Sequence, residues 1–101
     1  MEHNILGTIN LLEYCKKHKT GLILLSTSRV YSAYELASLT VESSDDRFDL
    51  RDCDVIGASS FGISEGFPTT APLSLYGASK LASETLILEY GECFDFPVWI
   101  N

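Results

Sequence analysis

An α/β fold built on a parallel sheet is what this sequence predicts, and three observations predict it. The apolar runs "LILL" at residues 22–25 and "FPVWIN" at 96–101 read as strands buried in a sheet. A segment with helical spacing precedes each run, and a long connection separates the two halves. The order helix, strand, long connection, helix, strand is the order of a chain that crosses over a parallel sheet.

From Asn4 to about Lys19, Ile5, Ile9 and Leu12 recur at helical spacing with Leu6 and Leu11 beside them. Lys16, Lys17 and Lys19 suit the negative C-terminal end of that helix, and Gly21 is expected to stop it. "LILL" then passes into "STS", a strand expected to be covered on both faces and to end in small hydroxyl residues. Residues 33–73 hold "ESSDDRFDLRDCD" and "GASSFGISEGFPTTAPL", rich in Gly, Ser, Asp and Pro and without a sustained period. A short helix is expected near "AYELASL" and irregular chain elsewhere; a connection of this length in a compact domain more often serves function than not. The second helix is expected from about Ser74 to Glu92. Ser74 is its N-cap, Leu81, Ala82, Leu86 and Tyr90 form its apolar stripe, and Gly91 lies near its end.

Composition bounds the function. A chain of 101 residues, 46% hydrophobic, buries one modest core. Seven Lys plus Arg against fourteen Asp plus Glu give a net charge of −7, which excludes a basic surface for nucleic acid. Cys15, Cys53 and Cys93 are odd in number and widely spaced, matching neither a disulfide framework nor a metal site, so a reducing, cytoplasmic setting is expected. His3 and His18 have no ligand-spaced partners, and no metal is expected. The longest unbroken apolar run, residues 22–25, is too short for a bilayer, and the first residues lack the pattern of a signal peptide.

Two places carry chemistry. In "SLYGASKLASETL", Tyr76 and Lys80 stand four apart, so a phenol and an ammonium share one helical face. A phenol titrates near 10, and making one a base near pH 7 takes roughly 4 kcal/mol of preferential phenolate stabilisation, which a neighbouring ammonium helps to supply. In "LLSTSRVYS", Ser26, Thr27 and Ser28 lie where an α/β sheet places its ligands, at the carboxyl end of a strand. A threonine there donates to a substrate oxygen or satisfies the turn.

The ordered set "NILGTINLLE", "STSRVY" and "YGASK" resembles the middle of an extended short-chain dehydrogenase/reductase, the group of NAD-dependent nucleotide-sugar epimerases and dehydratases. Within that group, "SRVYS", the long insertion, "GISEGFPTTAPLSLYGASKLASE" and "WIN" are most similar to the CDP-paratose 2-epimerase (CDP-tyvelose epimerase) group. The resemblance implies a Rossmann-like, doubly wound parallel sheet, bound NAD, a CDP-sugar substrate, and a homodimer through the two helices. It makes Tyr76 the acid/base and Lys80 the residue that holds the nicotinamide ribose and favours the phenolate. Thr27 becomes the residue that steadies the reacting oxygen, and Asn4 and Ser26 become cofactor contacts.

The chain starts on a helix, ends inside a strand and has no G-x-x-G-x-x-G. Residues 1–101 are therefore expected to be the central part of an NAD-binding domain. The Gly-rich βαβ unit and the C-terminal sugar-nucleotide domain are expected to lie elsewhere, and the piece alone to be inactive. Dehydratases of the group carry an Asp-Glu pair directly after the strand-end Thr, where this chain has Ser28 and Arg29. 2-Epimerisation is thus expected over dehydration. 4-Epimerisation, keto reduction and a non-catalytic Rossmann-like binding module remain as alternatives.

Overall fold

The computed structural model describes residues 2–51 and 54–101, so Cys53 lies outside the described residues. The chain forms two compact units, residues 1–30 with 75–101, and residues 31–74.

The first unit opens on a π-helical turn, Glu2–Leu6, that runs into helix α1, Gly7–His18. α1 ends at Lys19, which takes the left-handed conformation (φ 52°), and the Thr20 amide donates back to the Cys15 carbonyl at 3.2 Å. Gly21 is therefore not the stop. A Cβ at Gly21 would sit 3.2 Å from Pro97 Cγ and 3.3 Å from Trp99 Cζ3, so the glycine serves a close approach between neighbouring strands.

Strand β1, Leu22–Leu24, leads through the 3₁₀ turn Ser28–Val30 toward the second unit. The chain returns in helix α3, Leu75–Phe94, and strand β6, Val98–Ile100. β1 and β6 pair in parallel, Leu22 opposite Val98 and Leu24 opposite Ile100. Parallel neighbours need a crossover, and α3 closes it. The outcome is an α/β arrangement with a small parallel sheet, as the element order predicts.

Leu12, Cys15, Ile87 and Phe96 form the core of this unit, with Leu22, Leu24, Leu86, Tyr90, Phe94 and Val98 packed against them. One face of the sheet is thereby covered. On the other, Ile23 is 63% and Trp99 56% exposed, which corrects the expectation of a strand covered on both faces. Alternation along a strand sends successive side chains to opposite faces, so one layer of helices protects Leu22, Leu24, Val98 and Ile100 and leaves Ile23 and Trp99 open.

α3 also departs from the expected stripe. Its buried residues are Gly77, Ser79, Ser83, Ile87 and Gly91, while Leu81, Ala82, Leu86 and Tyr90 are only partly buried. Gly91 lies inside the helix at a close approach, where a Cβ would meet Val98 Cγ2 at 2.8 Å and the Phe96 carbonyl oxygen at 3.2 Å. The helix runs two residues further than expected and ends where Asp95 turns left-handed (φ 57°). The ammonium of Lys19 donates to the Phe94 carbonyl, and Lys16 Nζ lies 4.2 Å over the Phe94 ring. Lysines read as serving the end of α1 thus also serve the negative end of α3.

In the second unit, α2, Ala33–Ser38, falls on "AYELAS" as expected. The remainder, expected to be irregular, holds two short hairpins within otherwise irregular chain. β2, Val41–Ser43, pairs antiparallel with β3, Phe48–Leu50, and β4, Ala58–Ser59, with β5, Gly62–Ile63. These strands are two or three residues long, too short to show an alternation in sequence. Arg51 bonds Glu42 across the first hairpin, and Arg47 pairs with Asp49 at 2.7 Å. Phe67 is buried edge-on against Tyr31, 5.5 Å between ring centroids. Gly57, at φ 79°, is required beside it, since a Cβ would fall 2.3 Å from the Phe67 nitrogen. A groove of about 240 Å3 is lined by Phe48, Leu50, Phe61 and the Arg47–Asp49 pair.

Cys15 is buried and Cys93 exposed. Among the described residues no helix is long and apolar enough to cross a membrane.

Two predictions follow from the packing of the first unit. Gly91→Ala should destabilise the chain by about 1–3 kcal/mol through overpacking, enough to outweigh the ~1 kcal/mol that alanine gains in a helix. Val98→Ala in the same chain should recover part of that loss in thermal unfolding, and a Gly91→Ala variant as stable as the parent would contradict the close approach. Tyr90 Oη donates to Glu13 Oε1 at 2.9 Å; this bond, with desolvation and the Glu13 charge, holds the Tyr90 phenol above its ordinary range. A raised folded-state value means that its stabilisation is complete below the ordinary phenol value of about 10 and fades as pH rises through the higher folded value. Melting temperature followed to high pH should fall less steeply in Tyr90→Phe.

Candidate active site

The residues expected to carry chemistry all belong to the first unit, at the carboxyl end of β1 and along α3. Backbone pairing holds the strand end: the Asn101 amide donates to the Leu24 carbonyl at 2.9 Å and the Ser26 amide to the Asn101 carbonyl at 2.7 Å. Thr27 follows at once and starts the 3₁₀ turn. The Arg29 amide donates to Thr27 Oγ1 at 3.2 Å and the Val30 amide to the Thr27 carbonyl at 3.3 Å. The turn fixes where the Thr27 hydroxyl stands and uses one lone pair of its oxygen, leaving the proton free to be donated.

α3 packs against that turn. Tyr76 lies in its first turn and is 50% exposed. One turn on, Lys80 Nζ donates to the Leu25 carbonyl at 3.0 Å, so the ammonium is held at the strand end. Two of its three donors remain for a ligand. The four-residue spacing places Tyr76 and the anchored Lys80 on one face of α3.

Asn4 and Ser26 are engaged within the protein. Asn4 Nδ2 donates to Ser79 Oγ at 3.1 Å, and Ser79 Oγ donates to the Tyr76 carbonyl at 2.7 Å. The Asn4 carbonyl accepts from Thr8 Oγ1 at 2.6 Å and from Ser83 Oγ at 3.2 Å. Asn4 therefore docks the N-terminal turn onto the first turns of α3. The Ser26 hydroxyl donates to Glu84 Oε1. Glu84 and Ser79 have no distinguishing mark in the sequence; their partners lie 58 and 75 residues away, beyond the reach of any local pattern.

The carboxyl end of a parallel strand thus bears the Thr27 hydroxyl and the anchored Lys80 ammonium, and the helix that supplies Lys80 also carries Tyr76. Residues 1–100 match the NAD dependent epimerase/dehydratase family.

The chain belongs to that family.

A curated relative in the same family, the dTDP-D-glucose 4,6-dehydratase of Dictyostelium discoideum, is 38% identical over 101 residues. The alignment covers 99% of this chain and 20% of that protein, so the chain spans about a fifth of the length of the relative it matches. No solved structure matches the chain significantly. Membership in the NAD-dependent epimerase/dehydratase family agrees with the fold expected from sequence at the level of an α/β chain with a parallel sheet.

Proposed function

We propose that this chain provides the acid/base part of an NAD-dependent nucleotide-sugar epimerase active site, working through a transient keto sugar, with a CDP-sugar 2-epimerase of the CDP-paratose 2-epimerase kind as the specific reading. The observation that carries it is the anchoring of Lys80 on the Leu25 carbonyl, four residues from a half-exposed Tyr76 and beside the strand end that bears Thr27. NAD, when bound, supplies the two-electron acceptor that oxidises the carbinol and then reduces the ketone. Lys80 would hold its nicotinamide ribose with the two N–H donors that Leu25 leaves free. These 101 residues contain no Gly-rich pyrophosphate turn, so the reading gives them only the nicotinamide end of the cofactor.

Within this reading Tyr76, as phenolate, takes the hydroxyl proton of the sugar when the carbinol becomes a carbonyl. It returns the proton when reduction comes from the opposite face. Thr27 donates to the same oxygen throughout and steadies the partial negative charge that develops on it. The protein thus contributes base, hydrogen bond and orientation, and the redox step stays with the cofactor.

A second reading is dehydration, favoured by the similarity to a protein named as a 4,6-dehydratase. Elimination of water needs a proton taken from one carbon and another given to the leaving hydroxyl. Ser28 and Arg29, directly after Thr27, offer no carboxyl group for that shuttle. For this reason the epimerase is preferred. The outer surfaces of the two helices expose Leu11 and Tyr14 on α1 and Leu88 on α3, which supports a homodimer through them.

In the native protein carrying this sequence, Tyr76→Phe should lower turnover about 10²- to 10⁴-fold while NAD affinity in calorimetry is retained. Lys80→Ala should weaken both. Unchanged turnover in Tyr76→Phe would remove the acid/base assignment. Incubated with NAD and CDP-paratose in deuterated water, the same protein should interconvert two epimers with no loss of water and no accumulation of NADH. With dTDP-D-glucose, which has the 6-hydroxyl that CDP-paratose lacks, a product lighter by one water, with deuterium at the carbon beside the lost hydroxyl, would establish the dehydratase reading instead.

A further inference from the structure

We propose that Glu84 is a positioning residue of this site: by accepting the Ser26 hydroxyl proton it holds the strand-end segment that presents Thr27. The proposal rests on the acid/base reading of Tyr76 and Lys80 and adds to that set a residue that touches neither sugar nor cofactor.

Tyr76, Lys80 and Glu84 recur at four-residue intervals, which places them on one face of α3. Lys80 holds the Leu25 carbonyl and Glu84 the Ser26 hydroxyl, so two successive turns of the helix grip two successive residues of the strand end. Ser26 is also held by the residue that follows β6, through the 2.7 Å bond from its amide to the Asn101 carbonyl. The next residue is Thr27. Its hydroxyl and carbonyl are already used to build the turn to Val30, so the orientation of that turn relative to α3 is inherited from Ser26. Of these holds, only the Ser26–Glu84 bond ties the side chain just before Thr27 to the helix that carries Tyr76.

A carboxylate suits this task. It accepts hydrogen bonds and has no proton of its own to offer, so the Ser26 hydroxyl has one settled orientation. A hydrogen bond to a charged group that is made between partly buried partners contributes more than a neutral one. Acid/base chemistry is sensitive to such placement, because displacing a reacting group by about 1 Å costs on the order of 10²-fold in rate.

The test uses the native protein carrying this sequence. Glu84→Ala should lower kcat about ten- to a hundred-fold, the factor that corresponds to losing one hydrogen bond to a charged group, with KM for the nucleotide sugar changed less than about twofold. Glu84→Gln, whose amide oxygen still accepts from Ser26, should recover most of the loss. The double variant Ser26→Ala with Glu84→Ala should be no slower than the slower single one, as required if both act through a single bond. Additive losses in the double variant, or a Glu84→Ala protein that melts lower yet keeps the parent kcat, would overturn the proposal. Amide exchange gives a readout independent of turnover: Glu84→Ala should speed exchange at Ser26, Arg29 and Val30, and Tyr76→Phe should not. If the parent protein turns over no nucleotide sugar, the activity reading fails, while unaltered exchange in Glu84→Ala would refute the grip of Glu84 on the strand end.

Discussion

The close approach of α3 to the parallel strands is the constraint on which the first unit depends. It is possible because Gly91 brings no side chain to Val98, while the small Ser79 and Ser83 on the buried side of the helix meet Asn4 and Thr8 of the N-terminal segment. At Gly91 there is no room for even one more carbon beside Val98. Only at that separation do side chains of ordinary length from α3 reach the end of β1, as Lys80 and Glu84 do. A larger residue at Gly91 would push α3 away from Val98.

The same choice changes what cements the helices. Where two apolar stripes would interlock, α3 and the N-terminal segment instead share hydroxyls and an amide: Asn4 with Ser79, and Thr8 with Ser83 at 3.3 Å. Every buried side-chain polar atom among the described residues has a partner. That matters because a buried polar group left unpaired costs about 1–3 kcal/mol, while the bond it makes contributes about 1. The network specifies how the helices meet more than it holds them together, and the apolar cluster of Leu12, Cys15, Ile87 and Phe96 supplies the cohesion. It also links Asn4 to the carbonyl of Tyr76 through Ser79, so the start of the chain contributes to the first turn of the candidate site.

The unit formed by residues 31–74 is held differently. Its hairpins are short, and its order comes from specific closures: the Ser32 amide on the Pro68 carbonyl at 2.8 Å, Phe67 against Tyr31, and Gly57 beside the Phe67 backbone. None of Thr27, Tyr76 or Lys80 lines its groove.

Local pattern was enough for whatever depends on neighbours in sequence. Helical spacing located α1, α2 and α3 to within a few residues, apolar runs located β1 and β6, and the interval between Tyr76 and Lys80 placed them on one face, since backbone geometry alone sets those relations. The hairpins of residues 41–63 were not legible, because strands of two or three residues carry no period. Glycine was misread once. Gly21 looks like a stop, yet α1 ends at left-handed Lys19, and Gly21 answers to Pro97 and Trp99, just as Gly91, near the end of α3 as expected, answers to Val98. Tertiary structure alone decided which side of α3 is buried, that one face of the sheet stays open at Ile23 and Trp99, and that Ser26 meets Glu84. Each of these is a contact between residues far apart along the chain, and its existence depends on the distance between packed elements, a quantity that no local spacing encodes.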